Sequence, residues 1–313
     1  MPELPEVETT IRGLRSRVRG HIITDFWCDH GNMIRYISVS QLRKLVRGKK
    51  IIGIRRRAKH ILIDLSGGKS LVIHMKMTGH LLYGKWKMLN GKWKVTEKGP
   101  LRDDPYNRFI HAIFTLVPTS LKLRGAKTHL AFSDMRKFGK IAIHDTNNLG
   151  EAKELENLGP ELWEITAKKF ADIYLNVKSG KPTSLKLREP RIKQKLLDQH
   201  ILAGVGNIYS DEGLWASGIH PLSQPNKIPE TKLKKLFKAL VAVTKASLKT
   251  GGDSMSDYRN IDGVAGKFQN LHKAYRQTDK RCKKRGCTGI INRIVVGTRS
   301  THFCPKHQTL YGS

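Results

Sequence analysis

The sequence predicts an α+β protein of several domains: an N-terminal β-sandwich with flanking helices, a helical region, and a small cysteine-bearing tail. Three observations predict it. Short β-branched runs fill the stretch from Ile22 to His144, the pattern turns helical from about residue 150, and three of the four cysteines lie beyond residue 276. The units are placed at 1–150, 151–275 and 276–313.

Taken in order, Val7, Ile11, Leu14 and Val18 recur at helical spacing, with Glu3, Glu6 and Glu8 early and Arg15, Arg17 and Arg19 late. That order suits the helix macrodipole and predicts a helix over 3–18. A proline in a first turn lacks only an N–H that would be unpaired anyway, so "MPELPEVETT" alone specifies no chemistry. The runs "IITDFW", "KIIGIRRRAKHILIDLS", "SLVIHMKMTG", "FIHAIFTLV" and "HLAFSDMRKFGKIAIHD" read as strands, with "SGGK" at 66–69 as a hairpin turn. Between them, residues 83–104 form a basic, tryptophan-bearing insertion that reads as a loop, either touching DNA or standing as a surface excursion. The segments "REPRIKQKLLDQ", "GNIYSDEGLWASG" and "PETKLKKLFKALVAVTKASLKTGG" supply helices.

Charge narrows the partner. With 58 Lys+Arg against 26 Asp+Glu, the chain carries a formal +32 over 313 residues, which favours nucleic acid over a membrane surface or a merely solvated basic face. There is no apolar run of about eighteen residues, so no bilayer span is expected. The acidic opening lacks the apolar core of a secretory signal, which points to an intracellular, reducing location with the chromosomal DNA, cytoplasm or nucleoid in a bacterium.

Four constellations carry candidate chemistry. Cys282 and Cys287, then Cys304 and His307, form two knuckles at the ends of a predicted hairpin and offer the four soft or borderline ligands of a tetrahedral zinc site. One structural Zn2+ is expected, because four protein ligands leave no open position, and the tail reads as a zinc finger. Cys28 stands alone as an ordinary thiol. Gly204 and Gly206 run into Asn207 and a helix, where close-approaching N–H groups and the helix terminus could cradle a phosphate, although such turns also serve packing. Lys59 alternates onto the face of Ile61, Ile63 and Leu65, either pointing toward the mouth of the sheet or reaching to water. Met77, Arg136 and Phe138 could fill the gap left by an extruded base, or be core and surface residues.

In that order, "MPELPEVET", "RRAKH", "MTG", "RKFG", "GVGNIYSDEGLWASGIHP", "TGG", "IDGVAGKF" and the cysteine tail with Arg299 resemble the formamidopyrimidine-DNA glycosylase (Fpg/Nei) family over nearly the whole chain except 83–104. The opening is of the Fpg rather than the Nei type. The resemblance implies a helix-two-turn-helix in the helical domain and a base-excision-repair glycosylase and AP lyase that binds damaged double-stranded DNA as a monomer in a basic cleft. It implies that the initiator Met is removed and that Pro2 then attacks the sugar C1′ as a secondary amine. A terminal amine with pKa about 8 is far more often neutral at pH 7 than a lysine, which suits that role. Glu3 would move protons at the opening sugar ring, Lys59 would bind phosphate and assist β-elimination, and Arg299 would serve δ-elimination. Met77, Arg136 and Phe138 would invade the duplex, and Asn207, Lys193 and His111 would contact DNA. Oxidised purines are the implied substrate, with Nei-like oxidised pyrimidines, or silent damage binding, as the alternatives. Departures are the four-residue spacing of the first knuckle, His307 in place of a cysteine, and "RFIHAIF", which matches the family's His-x-His pattern only at His111.

Overall fold

The computed structural model describes residues 1–119, 127–176, 191–255 and 257–312. The start of the "REPRIKQKLLDQ" segment, before Arg191, lies outside them. The described chain divides into two compact units, Met1–Asn157 with Ser247–Gln269, and Leu158–Ala246 with Asn270–Ser313. Residues 247–269 thus pack with the first unit although they follow the helical region in sequence.

The first unit opens with α1 (Leu4–Arg17), preceded by Glu3 in extended conformation, with Pro5 in its first turn and Arg15 and Arg17 in its last. Val7, Ile11, Leu14 and Val18 are each 0 % exposed, so the predicted stripe faces the core. Burying each contributes about 1.5–3 kcal/mol. Two four-stranded antiparallel sheets follow. One contains β1 (Ile22–Cys28), β5 (Gly79–Gly84), β8 (Ile110–Val117) and β9 (Thr128–Asp134) in the order β1-β8-β9-β5. The other contains β2 (Ile51–Arg57), β3 (His60–Leu65), β4 (Lys69–His74) and β10 (Lys140–Asp145) in the order β10-β4-β3-β2. Residues of α1 and of both sheets share one apolar core, with α2 (Val39–Val46) contributing Leu42 and Val46. This is the expected sandwich.

The insertion is not a loop. Its β6 (Trp86–Leu89) and β7 (Lys92–Val95) form a two-stranded hairpin whose Asn90–Gly91 turn has φ of 49° and 74°, followed by the short α3 (Pro100–Asp103). Asn-Gly is the residue pair such a turn demands, because both positions need positive φ. Trp86 is 3 % exposed, and with Trp93 it packs on Leu82, Ile113 and Ala131 of the first sheet.

The second unit contains α4 (Ala167–Leu175), α5 (Ile192–Leu197), α6 (Asn207–Ser217), most of α7 (Glu230–Lys249), and a terminal hairpin of β11 (Asn292–Val296) and β12 (Arg299–Phe303). Leucines 233, 236 and 240 are fully buried on one face of α7, and α6 approaches it so closely that a Cβ on Gly213 would lie 2.4 Å from Leu240 Cδ2. Among the described residues, no helix is long and apolar enough to cross a membrane.

Candidate active site and nucleic-acid interface

Pro2 and Glu3 sit at the head of α1 and both are buried, Glu3 to 1 % exposure. The first turn is held by Glu6, itself 1 % exposed. Its Oε2 accepts the Glu3 N–H at 2.8 Å and its Oε1 accepts the Asp253 N–H at 2.8 Å, while Tyr258 donates to its carbonyl at 3.0 Å. Gly252 permits this approach, with φ of 89° and only 3.1 Å between an added Cβ and Glu6 Oε1. A chain start is ordinarily loose. Here Glu6 ties it to Asp253 through its buried carboxylate and to Tyr258 through its carbonyl, both in the same unit.

Lys59 is in the two-residue turn between β2 and β3 rather than on the strand, and it is 6 % exposed. Ala58 beside it has φ of 51°, a left-handed conformation that costs an L-residue about 1–2 kcal/mol. The Lys59 charge reaches His74. Burial foremost, then His60, Lys76 and Lys59, hold that imidazole well below its usual pKa. His74 Nδ1 accepts the Lys76 N–H at 2.9 Å, which places the proton of the neutral ring on Nε2. The rings of His60 and His74 meet edge to face at 4.6 Å.

Met77 is half-buried in the loop after Lys76. Arg136 and Phe138 occupy the loop between β9 and β10, with the guanidinium carbon 4.6 Å from the centre of the Phe138 ring, which is 45 % exposed. The two loops meet, since the Arg136 N–H donates to Thr78 Oγ1 at 3.1 Å. His111 stands where the β8–β9 register shifts, and its Nδ1 is 2.9 Å from Asp29 Oδ1.

In the second unit, Asn207 opens α6 behind Gly204, whose φ is 97°, and Gly206, and donates from Nδ2 to Ser300 O at 3.1 Å. Arg299 begins β12 just past the hairpin turn. Both line an opening of about 550 Å³ together with Arg276, Arg293 and Tyr275. No carboxylate belongs to that lining, so the opening suits an anion. Glu212 of α6 fixes its Tyr275 side by accepting the N–H groups of Ala274 and Tyr275 at 2.9 and 2.8 Å. Burial raises the Glu212 pKa against the pull of those donors.

Lys193 corrects the expectation of a DNA contact. It is 0 % exposed, and Nζ donates to Asn207 O at 3.0 Å, Ser210 Oγ at 2.7 Å and Asp211 Oδ1 at 2.5 Å. An ammonium has three N–H donors, so all are accounted for inside the protein. Asp211 Oδ2 in turn accepts the His302 N–H and lies 3.0 Å from His302 Nδ1, joining α5, α6 and β12.

The four tail ligands converge. The donor atoms of Cys282, Cys287, Cys304 and His307 all lie within 4.8 Å of one another. His307 Nδ1 is 3.2 Å from Cys282 Sγ, while Nε2 is 3.0 Å from the Trp215 carbonyl, which leaves Nδ1 as the ligand atom. The Trp215 indole donates to Cys282 Sγ at 3.3 Å and the Gly289 N–H to Cys287 Sγ at 3.3 Å, as expected around thiolates that bind a metal ion. The cluster could hold a metal ion and is consistent with a structural zinc site.

Glu6, Arg276 and Arg293 belong to these sites without having been singled out from sequence. Glu6 reads as a first-turn helix acid, and the two arginines are lost among 58 basic residues.

Comparison with known proteins finds relatives over nearly the whole chain. The family model described as Formamidopyrimidine-DNA glycosylase N-terminal domain matches residues 1–141, and that described as Formamidopyrimidine-DNA glycosylase H2TH domain matches residues 177–259. A curated formamidopyrimidine-DNA glycosylase of Solibacter usitatus is 35% identical, aligned over 98% of this chain and 99% of its own. That of Carboxydothermus hydrogenoformans is 33% identical over 98% and 100%. Among solved structures, Lactococcus lactis Fpg in complex with DNA containing an abasic site matches with a TM-score of 0.78 at 29% identity, covering 97% of this chain and 98% of that one. A mutant of the same protein bound to Fapy-dG-containing DNA matches equally well.

Proposed function

The chain belongs to the formamidopyrimidine-DNA glycosylase family, whose members act in base-excision repair of damaged DNA, and on that premise we propose that it is a bifunctional DNA glycosylase and AP lyase for oxidised purines, 8-oxoguanine and formamidopyrimidines. It works as a monomer on double-stranded chromosomal DNA. Pro2, freed by removal of Met1, attacks C1′ of the damaged nucleoside. The C1′–N bond to the base breaks, and the amine is left as an iminium. Glu3 delivers a proton to the ring oxygen as the sugar opens. Loss of a C2′ proton then expels the 3′-phosphate, with Lys59 beside that phosphate, and a second elimination expels the 5′-phosphate, with Arg299 and Asn207 holding the backbone. Met77, Arg136 and Phe138 fill the duplex where the base has left it. Four protein donors suit a structural zinc ion, which would brace the hairpin that carries Arg299.

The observation that carries this reading is the buried first turn, in which Glu6 fixes Glu3 and so the atom next to the proposed nucleophile. An amine used for covalent attack must be held in one geometry. Borohydride trapping on a duplex containing 8-oxoguanine opposite cytosine tests it. A covalent adduct is expected, with Pro2→Gly losing most of it. An adduct retained by Pro2→Gly, or full strand scission by protein whose mass includes Met1, refutes the nucleophile. Faster excision of thymine glycol than of 8-oxoguanine refutes the purine preference.

A further inference from the structure

We propose that Asp134, acting with Thr78, is the positioning residue that makes the Met77 loop and the Arg136–Phe138 loop enter DNA as one body; this rests on the glycosylase reading above. Asp134 is the last residue of β9 and is 0 % exposed. Its Oδ1 accepts the Thr78 hydroxyl in a short hydrogen bond and the Arg136 N–H at 3.3 Å. Its Oδ2 accepts the Gly139 N–H at 2.7 Å, and its carbonyl accepts the Lys137 N–H at 3.2 Å. Thr78 Oγ1 in turn accepts the Arg136 N–H. One carboxylate therefore grips both ends of the loop that carries Arg136 and Phe138 and, through Thr78, the residue next to Met77.

Backbone conformation supplies a second, independent observation. Lys76, which precedes Met77, has φ of 54°, and Lys137, between Arg136 and Phe138, has φ of 58°. Neither is glycine, so each conformation costs about 1–2 kcal/mol and persists only where surrounding bonds impose it. The Asp134 hub and the His74–Lys76 bond are those impositions. Space is used up as well, since a Cβ on Gly139 would lie 2.2 Å from Phe132. Loops held this rigidly against their own preference suit wedges that must keep their spacing while base pairs part.

An extruded base must be unstacked in a duplex, whereas in a single strand that work is already largely done. A residue that sets the wedge should therefore matter for duplex DNA and not for an abasic site in a single strand. Asp134→Asn keeps the shape but turns an NH2 toward a donor, and Thr78→Val removes the hydroxyl. Each should lower kcat/KM for 8-oxoguanine excision from duplex about 10- to 100-fold, the loss expected from breaking a hydrogen bond to a charged group. Borohydride trapping on a single-stranded abasic oligonucleotide should stay within about twofold of the parent. Thr78→Ser retains the hydroxyl and should restore duplex excision. Equal loss on both substrates, undiminished duplex excision, or failure of Thr78→Ser to rescue overturns the proposal. Absence of trapping by the parent protein on either substrate removes the glycosylase reading, and this proposal with it.

Discussion

Replacing Lys193 by methionine separates a buried brace from a phosphate contact. The structure gives its ammonium three acceptors, one of them the carboxylate of Asp211, and both side chains of that pair are 0 % exposed. Methionine retains most of the volume but leaves Asp211 with only the His302 N–H and imidazole as partners. Breaking a buried pair from one side costs about 3–5 kcal/mol. At roughly 2–4 °C per kcal/mol for a protein of this size, Tm should fall by roughly 6–20 °C. DNA affinity, measured well below Tm across a salt series, should keep its slope, since no phosphate partner has been removed. A direct contact would behave in the opposite way, leaving Tm nearly unchanged and lowering the slope of log K against log salt by about 0.9. That second pattern would refute the reasoning; Lys193→Arg should not restore Tm, because the fully buried site is shaped around an ammonium with three acceptors.

Other consequences are open to measurement. Burial lowers the pKa of His60 and of His80 from 6.5 to about 4, so an unfolded chain binds protons that the folded one refuses. Their contribution is complete above pH 6.5 and lost as pH falls toward 4, amounting to about 2 kcal/mol each by pH 5; denaturant titrations between pH 7.5 and 5 should show stability declining, and a flat profile would count against both assignments. Glu6→Gln should weaken the hold on Glu3 and Asp253, slowing single-turnover trapping by about tenfold with KM for the duplex little changed. Ala58→Gly relieves the left-handed turn beside Lys59 and should stabilise by about 1 kcal/mol, so a lower denaturation midpoint would show that the turn is not strained. Stripping the metal with a chelator should change tryptophan emission through the Trp215–Cys282 bond, and Trp215→Phe should abolish that change while metal analysis still finds one ion per chain in the unstripped protein.

The elements most legible in sequence were those whose periodicity is local. The α1 stripe, the alternating strands and the cysteine spacing each follow from residues within one or two turns of one another, and the structure places them accordingly. Motifs single out Pro2, Glu3, Lys59, Asn207 and Arg299 as candidates, but not the bonds that hold them. Glu6 reaches Asp253 across 247 residues, and nothing in "PEV" announces the bond. Lys193 looks like any lysine on an amphipathic helix, because its acceptors Asn207, Ser210 and Asp211 lie 14 to 18 residues later on α6. The hairpin is legible in "WKMLNGKWKV", which alternates around an Asn-Gly pair, although its high charge reads equally as a solvated loop.

That hairpin bears on how the domain can vary. Registered across the first sheet, Leu82, Ala131, Ile113 and Trp27 form one apolar row on the face away from the main core, and Trp86 and Trp93 roof it. Excising 86–95 would leave that row wet, a contiguous apolar face that invites another molecule to cover it. A shorter descendant of this protein would have to repaint four side chains polar in the same step, so ornament and wall can only be lost together.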